Sequence, residues 1–331
     1  MSDYHGVLVL GETENGGIVS ITKELLGIGR KLAGELGEEL SALLIGSGLE
    51  TASKEAITWG ADRVYLVDNP VLATYNSDCY TAVVAKVCQE VSPSVFLMGQ
   101  TSMGRDIAPR VAARLKASLS TDCIELRIAP DSKRLIQTRP VYGGNAVAVV
   151  VPKAYPQMAT IRAKSMSPLG PDSSRQGKVI PVDVRADSLI AKAKLTNTVK
   201  EEVAGIKLED AKVIVAGGAG LGGPEGFKLV EELAKILGGA VGATRIPCEE
   251  GWVPTSFQIG QTGKIVTPDL YIAVAISGAQ QHIAGCLGSK CIVAINRDPE
   301  AYMLKAADFG VVGNYEQALP ALIKKCRELV S

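Results

Sequence analysis

The sequence predicts an α/β fold with two domains, each built around a mainly parallel β-sheet. The chain has 331 residues, more than one hydrophobic core usually holds. Short apolar runs alternate with amphipathic helical patterns in both halves, which is typical of strand–helix units in parallel sheets. Between the halves, residues 165–178 (SMSPLGPDSSRQGK) are rich in Pro, Ser and Gly, which indicates a loop or linker.

In the first half, strands are expected at GVLVLG, LSALLIG, RVYLVD and SVFLMG. Helices are expected between and after them, from Ser20 to Leu36, Thr51 to Trp59, Asn76 to Glu90 and Arg105 to Lys116. Four strand-like runs then follow without helices between them, CIELRIA, RLIQTRPVY, AVAVVV and MATIRA. We expect these four runs to form an antiparallel extension of the sheet.

A second α/β series begins at KVIVAGG and continues through AVGATR, LYIAVAISG and CIVAIN. A helix from Pro224 to Leu237 is expected after the first strand, because Pro224 suits a first helical turn and Gly238 a C-terminal cap. A short helix should follow Gly278, and a closing helix should run from Tyr315 to Val330. The predicted domains are residues 1–207, with a linker at about 163–207, and residues 208–331.

The composition excludes several classes of function. Thirty-five basic residues balance thirty-five acidic ones without a long basic run, so a nucleic-acid partner is not expected. No stretch approaches 18 uninterrupted apolar residues and no targeting segment is visible, so we expect no membrane insertion and a cytoplasmic location. The seven cysteines form no CxxC, which favours buried free thiols over a metal site, a cluster or disulfides. Any redox chemistry would then come from a cofactor.

The segment KVIVAGGAGLGG (residues 212–223) leads a strand through a glycine loop into a helix whose free N–H groups could face a nucleotide diphosphate. Such turns also occur for packing reasons alone, so the loop by itself is a weak signal. It is not a Walker loop, because GK[ST] is missing. It also lacks the SGGxDS pattern of ATP pyrophosphatases.

Polar residues gather where several strands of the second half end. In an open parallel sheet these ends converge on one crevice, where ligands bind. Each residue taken singly could instead cap a helix or satisfy a turn. The set favours a cofactor; its members are Thr244, Arg245, Gln261, Thr262, Ser277, Gln281, His282 and Asn296.

The segments VGATRIPCEEGWVP, QIGQTGK, AISGAQQHIAG, VAINRDPEA and AADFGVVG resemble, in order and spacing, the FAD domain of electron transfer flavoprotein α subunits. Upstream, MGQTSMGRDIAPRVAARL, TRPVYGGN and PQMATIR are similar to the first domain of the same family. The resemblance implies a Rossmann-like FAD-binding domain at 208–331 and contact with the partner subunit through 1–207. GRDIAPRVA, SLSTDC and TRPVYGGN are closer to the branch that includes electron-bifurcating members, which are bacterial or archaeal.

The resemblance also implies roles for individual residues. Arg245 would favour the reduced, negatively charged flavin, the Thr262 hydroxyl would bind flavin N5, and His282 would face the pyrimidine oxygen. Where the family usually has Arg in the glycine loop, this chain has Ala219. Further cofactor contacts are implied at Thr244, Ile259, Gly260, Gln261, Gly263, Ser277, Gly278, Ala279, Gln280, Gln281, Asn296, Asn314 and Tyr315.

The expected function is therefore that of an electron carrier, which catalyses little alone. It would hold one FAD, pair with a β subunit that holds a second FAD or AMP, and exchange electrons with acyl-CoA dehydrogenase-like or other redox enzymes. A role in flavin-based electron bifurcation by the complex is a further expectation. The alternatives are an adenine-nucleotide enzyme using adenylate chemistry on a similar α/β scaffold and a nucleotide-sensing module. The adenylate enzyme would need a nucleophile or a metal-binding carboxylate cluster, and the sequence shows neither near the glycine loop, so no metal site is expected.

Overall fold

The computed structural model describes residues 4–144, 146–184, 189, 191–193, 195–197 and 206–330. The chain divides into two compact units, unit 1 (Met1–Val141 and Asn145–Thr198) and unit 2 (Tyr142–Gly144 and Val199–Ser331). The domain boundary after residue 207 stays a prediction. Part of the predicted linker, at 185–188, 190, 194 and 198–205, lies outside the described residues.

Unit 1 contains twelve strands and four α-helices in the part that is described. Its helices are α1 (Ser20–Leu36), α2 (Glu50–Thr58), α3 (Ser77–Val91) and α4 (Ser102–Leu115). Its strands are β1 (Val7–Gly11), β2 (Thr13–Glu14), β3 (Gly17–Ile18), β4 (Leu40–Gly46), β5 (Arg63–Asp68), β6 (Val95–Gly99), β7 (Leu119–Cys123), β8 (Glu125–Ile128), β9 (Leu135–Val141), β10 (Ala146–Val150), β11 (Gln157–Ile161) and β12 (Lys178–Pro181).

The main sheet of unit 1 has the strand order β12-β5-β4-β1-β6-β11-β7 among the described residues, and its strand pairs are parallel. Strand β1 shows why this sheet needs helices on both faces. Val7 and Val9 belong to one buried apolar cluster, whereas Leu8 and Leu10 belong to another on the opposite face. Successive side chains of a strand point to opposite faces, so the unbroken apolar run predicted a sheet buried on both sides. That α/β prediction is confirmed.

The prediction of an antiparallel extension was wrong. Strands β8, β9 and β10 form a separate antiparallel sheet, while β11 lies parallel to β6 within the main sheet. All residues of β11 are buried, whereas β10 is largely exposed. A fully buried strand needs neighbours and covered faces on both sides, which only the main sheet provides. Strand β12, within the predicted linker, pairs with β5 at the edge of the main sheet.

Unit 2 contains the predicted strands and helices, together with one strand and two short helices that were not predicted. Its strands are β13 (Val213–Gly217), β14 (Ala240–Ala243), β15 (Leu270–Val274), β16 (Ile292–Asn296) and β17 (Phe309–Val312). Its helices are α5 (Pro224–Ile236), α6 (Arg245–Glu249), α7 (Gln280–Cys286), α8 (Tyr302–Ala306) and α9 (Tyr315–Val330). The five strands form a parallel sheet with the order β14-β13-β15-β16-β17 in the described part of the chain.

Helix α5 shows how the sequence builds the core of unit 2. Phe227, Val230 and Ala234, which repeat at helical spacing, are buried against the sheet. The seven cysteines are free thiols, as predicted, but Cys291 and Cys326 are only partly buried. None of the described helices is long and apolar enough to cross a membrane.

Candidate functional site

The carboxyl ends of strands β13 to β16 surround a cavity of about 470 Å³ in unit 2. The chain passes from β13 to β14 on one side and then places β15 on the other side of β13. Parallel sheets bind ligands in the crevice at such a reversal of strand order. The cavity therefore lies where the topology of the sheet opens a binding crevice.

Most of the residues predicted to contact a cofactor line this cavity. Asn314 and Tyr315 instead line an adjoining hollow of about 260 Å³, which shares Asn296 and Arg297 with the cavity. Gly263, Gly278 and Gln280 lie in the same segments without lining either space. The predicted residues that line the cavity are Thr244, Arg245, Ile259, Gly260, Gln261, Thr262, Ser277, Ala279, Gln281, His282 and Asn296.

The glycine loop lines the cavity through Gly218, Ala219 and Gly220. The N–H groups of Gly218 and Gly220 donate to the carbonyls of Val274 (3.0 Å) and Ala275 (3.3 Å) at the end of β15. A short 3₁₀ turn follows before α5 begins. The loop is thus tied to the neighbouring strand, and the role of the free N–H groups of α5 stays a prediction.

The segment 258–263 is held by α7. The N–H of Gln261 donates to the carbonyl of Gln281 at 2.8 Å. A Cβ atom added to Gly285 would lie 2.5 Å from backbone atoms of Gly260, so only glycine permits this close approach. The Thr262 hydroxyl accepts a hydrogen bond from the Gln258 amide (3.0 Å), which leaves its own proton free to be donated into the cavity.

The turn that leads into α7 depends on Gly278. Its φ is +86°, and an added Cβ would lie 2.2 Å from the backbone nitrogen of Met303. The N–H of Met303 donates to the carbonyl of Ser277 at 3.2 Å, so α8 and this turn are in direct contact. Gly278 therefore shapes the cavity without lining it.

His282 is 6% exposed, and protein groups occupy both of its ring nitrogens. Nδ1 lies 3.0 Å from the carbonyl oxygen of Ile259, and Nε2 lies 2.9 Å from the hydroxyl of Tyr271. Burial lowers the pKa of His282 to about 4. The residue lines the cavity, and its expected position facing a pyrimidine oxygen stays a prediction.

Two arginines give the cavity its positive charge. The Nε atom of Arg245 is 2.6 Å from Glu249, one helical turn away, and its side chain is 67% exposed. Arg297 lines both spaces and forms no ion pair with the described residues. Asn296 donates to the carbonyl of Ile276 (2.8 Å) and accepts from the N–H of Asp298 (3.0 Å), so its side chain stabilises the turn after β16.

Arg297 is the main residue that sequence reasoning missed. It follows Asn296 directly at the end of β16, so the strand-end rule that selected Asn296 would have found it one position later. Four further lining residues had no comparable signal, because none of them directly follows a strand; these are Ile246 in α6, Gln258, Asp298 and Ala301.

Comparisons with known proteins agree with this arrangement. Residues 7–187 match the family model described as electron transfer flavoprotein domain, and residues 207–287 match the model described as electron transfer flavoprotein FAD-binding domain.

Similar proteins match over their whole length. The electron transfer flavoprotein subunit alpha of Thermoanaerobacterium thermosaccharolyticum is 43% identical, covering 99% of this chain and 100% of that protein. Protein FixB of Clostridium saccharobutylicum is 41% identical, covering 100% and 99%. The electron transfer flavoprotein subunit alpha of Megasphaera elsdenii is 41% identical, covering 99% and 98%. With both domain models and full-length relatives in agreement, the chain belongs to the electron transfer flavoprotein α-subunit family.

Proposed function

We propose that the chain binds one FAD in the cavity of unit 2 and carries electrons as the larger subunit of a heterodimer. The observation that carries the proposal is the convergence of four strand ends on one cavity lined by most of the residues predicted for a flavin. Membership of an electron transfer flavoprotein family supports the electron-carrying role.

The chemistry of the cavity fits a flavin nucleotide. Ile246, Ile259 and Ile276 offer apolar surface for a planar ring system, while the hydroxyl of Thr262 offers a proton to a ring nitrogen. The adjoining hollow, with Asn314 and Tyr315, provides further space on the side of Arg297. The two halves of a dinucleotide could occupy the two spaces, and Arg297, which lines both, offers a cation to the diphosphate between them.

When bound, FAD would supply the ability to accept and release electrons. Arg245 would place positive charge beside the ring and favour its reduced form, although Glu249 offsets part of that charge. Thr262 would orient the ring through its hydroxyl, and Arg297 would bind the diphosphate. Arg297 is thus our candidate for the cation that Ala219 does not provide.

We further propose that a β subunit, itself holding FAD or AMP, contacts residues 1–207. Strand β10 lies at the edge of the small antiparallel sheet and exposes Val147 (56%) and Val149 (61%). Exposed apolar side chains on an edge strand favour association with another chain. Electron bifurcation by this complex is part of the proposal, based on the resemblance of the first domain to that branch.

The test is to co-express the chain with its β subunit, purify the complex and quantify bound flavin and AMP. One FAD that remains with this chain, judged by its visible absorption and by release of FAD on denaturation, is the expected result. Two FAD per heterodimer would favour bifurcation, whereas one FAD and one AMP would argue against it. A colourless complex that does not take up added FAD would contradict the proposal.

The Arg297→Gln variant sharpens this test. Loss of a charge-assisted hydrogen bond should weaken FAD binding by roughly tenfold or more, with little effect on riboflavin, which has no phosphate. Lys290→Gln, which removes an exposed lysine paired with Asp269, is the matched control and should leave FAD binding unchanged. Equal effects of the two substitutions would contradict the role of Arg297.

A further inference from the structure

Residues 163–177, which we call the strap, lie between β11 and β12 and pack against α1 and α2 of unit 1. On α1 the two backbones meet at Gly27, where an added Cβ would lie 2.5 Å from the carbonyl oxygen of Ser167. At the end of α2, the N–H of Asp172 donates to the carbonyl of Thr58 at 2.9 Å. The strap is therefore fastened to both helices through backbone contacts.

The far end of the strap is held by a polar contact. Nη1 of Arg175 lies 3.5 Å from a carboxylate oxygen of Asp62 and 3.4 Å from the carbonyl oxygen of Gly60. Both charged side chains are 29% exposed, so water competes with this ion pair and it contributes little to stability. The first half of the strap thus depends on its contacts with α1.

Glu24 provides the polar part of the contact with α1. Its side chain is 5% exposed, and its carboxyl accepts hydrogen bonds from the N–H groups of Lys164 and Met166. Its Oε2 atom is buried and has no hydrogen-bond partner within the described residues. An ionised carboxylate spreads its charge over both oxygens, and a buried oxygen without a donor makes that charge costly. The geometry therefore suits a neutral, protonated carboxyl.

The charged groups around Glu24 do not compensate for its burial. Lys164 of the strap attracts the ionised form, but burial has the larger effect and raises the pKa of Glu24 from 4.5 to about 7. Arg162, just before the strap, is committed to Asp122 at 2.9 and 2.6 Å. The α1 residues one turn from Glu24 have no side chains that titrate; they are Ser20, Ile21, Gly27 and Ile28.

We propose that Glu24 is a proton-controlled latch, which holds the strap on α1 while its carboxyl is protonated and releases the strap when the carboxyl ionises. On release, the proton passes to solvent, the carboxylate becomes hydrated, and the N–H groups of Lys164 and Met166 lose their acceptor. The sheet and helices of unit 1 stay folded, since segments of a protein can open locally. This inference concerns unit 1 alone and does not depend on the binding of flavin.

The direction of the pH effect follows from the two states of the strap. With the strap fastened, the pKa of Glu24 is about 7, whereas with the strap released the carboxyl meets water and its pKa returns toward 4.5. The fastened state is therefore favoured most below pH 4.5. As pH rises from 4.5 to 7, the equilibrium constant for release should increase roughly tenfold per pH unit. Above pH 7 both states are ionised and the dependence ends.

Hydrogen exchange of the backbone amides in the full chain tests the latch. Residues 163–170 are followed by mass spectrometry in the wild type and in Glu24→Gln, whose neutral side chain keeps an acceptor for the two N–H groups. Comparing the two proteins at the same pH cancels the intrinsic pH dependence of exchange. The ratio of wild-type to Glu24→Gln exchange rates should increase by at least about tenfold from pH 5 to pH 7.5. The amide of Asp172 reports whether the release extends to α2.

Two further variants calibrate the measurement. Glu38→Gln is the matched control, because this carboxyl also accepts from a backbone N–H of unit 1, that of Gly6 at 2.6 Å, and from the hydroxyl of Ser94. It should leave exchange in the strap unchanged. Gly27→Ala places a Cβ against the carbonyl of Ser167, so it should release the strap at every pH and give the exchange rate of the open state.

Several outcomes would overturn the inference. A constant ratio of the two exchange rates between pH 5 and 7.5 would show that the charge of Glu24 does not control the strap. Faster exchange throughout unit 1 would show that the whole unit opens rather than the strap. A ¹³C NMR titration of the wild-type carboxyls needs no variant, so it remains decisive if Glu24→Gln fails to fold. A midpoint near pH 7 for Glu24 is expected, and one near 4.5 would contradict the latch.

Discussion

The two units contain parallel sheets with the same kind of switch point, yet their strand ends differ. In unit 1 the reversal lies between β1 and β6, where the Thr101 hydroxyl donates to the carboxylate of Glu12 at 2.6 Å. Thr101 also accepts from the N–H of Gly104, and the N–H of Glu12 donates to Thr22. In unit 2 the corresponding ends surround the cavity. Topology locates a crevice, but side-chain pairing decides whether its polar groups are available to a ligand.

The largest expected effect comes from replacing Gly278, whose close approach to the backbone of Met303 shapes the cavity at the strand ends of unit 2. Gly278→Ala would combine a strained φ with overlap against Met303, so we expect a loss of about 4 kcal/mol in the free energy of unfolding. Urea denaturation followed by signals from unit 2 measures it. Gly238→Ala is the control, since Gly238 has a φ of +60° and open space for a Cβ; it should cost only about 1 kcal/mol. Equal losses would mean that the Met303 contact is unimportant.

A second comparison concerns pH. Burial raises the pKa of Glu24 in unit 1 to about 7, more than hydrogen bonds from the backbone of Lys164 and Met166 lower it. Between pH 4.5 and 7 the unfolded chain releases this proton while the folded chain keeps it, so the stability of unit 1 should fall as pH rises.

Glu24→Gln should remove this dependence and stabilise unit 1 by roughly 3 kcal/mol at pH 8. For His282, whose pKa is lowered from 6.5 to about 4, the sign reverses: stability is lost as pH falls through this range. Denaturation of wild type and Glu24→Gln across pH 4 to 8 checks both signs. Parallel pH curves for the two proteins would contradict the role of Glu24.

Two threonines at strand ends test the contrast between the units directly. Thr101→Ala removes both the cap of α4 and the donor to Glu12, so it should lower stability by about 1 to 2 kcal/mol and leave FAD affinity unchanged. Thr262→Ala should do the opposite, weakening FAD binding roughly fivefold while changing stability by less than about 0.5 kcal/mol. Denaturation gives the stability of each variant, and FAD titration gives its affinity for FAD. A loss of FAD affinity in Thr101→Ala would break the distinction.

The smallest expected effect concerns the charge at Arg245. Because the side chain is 67% exposed and paired with Glu249, its charge is screened, and Arg245→Ala should lower the flavin midpoint potential by only about 40 mV, equivalent to about 1 kcal/mol for one electron. Glu249→Gln should shift the potential in the opposite direction. Spectroelectrochemical titrations at matched FAD content compare the three proteins. Shifts of the same sign in both variants would show that Arg245 does not act through its charge.

The fold was largely predictable because apolar spacing within short segments indicates which of them form strands and which form helices. The short, β-branched apolar run VLVLG between turn residues favours a strand buried on both faces, and the apolar spacing in α5 specifies its buried side. The run MATIRA was misplaced because nothing within it says whether its neighbour is parallel. That depends on β6, more than fifty residues earlier, and on the burial that β6 and β7 give it.

The site was predictable where it follows from strand ends. Thr244, Ser277 and Asn296 lie at the cavity because parallel strands bring their carboxyl ends together. The pairing of His282 with Tyr271 was not predictable, since it joins a helix to the middle of a strand and depends on how α7 packs. The binding of the glycine loop to Ala275 likewise depends on the tertiary fold.

The contact between Gly260 and Gly285 has a consequence for protein engineering. It joins the segment that carries Gln261 and Thr262 to the helix that carries Gln281 and His282, with no room for a side chain between them. Transplanting either segment alone into another scaffold would leave a backbone surface without its complement. A functional graft must carry both segments together, and libraries aimed at new cofactor preferences should vary the side chains around this contact while keeping both glycines.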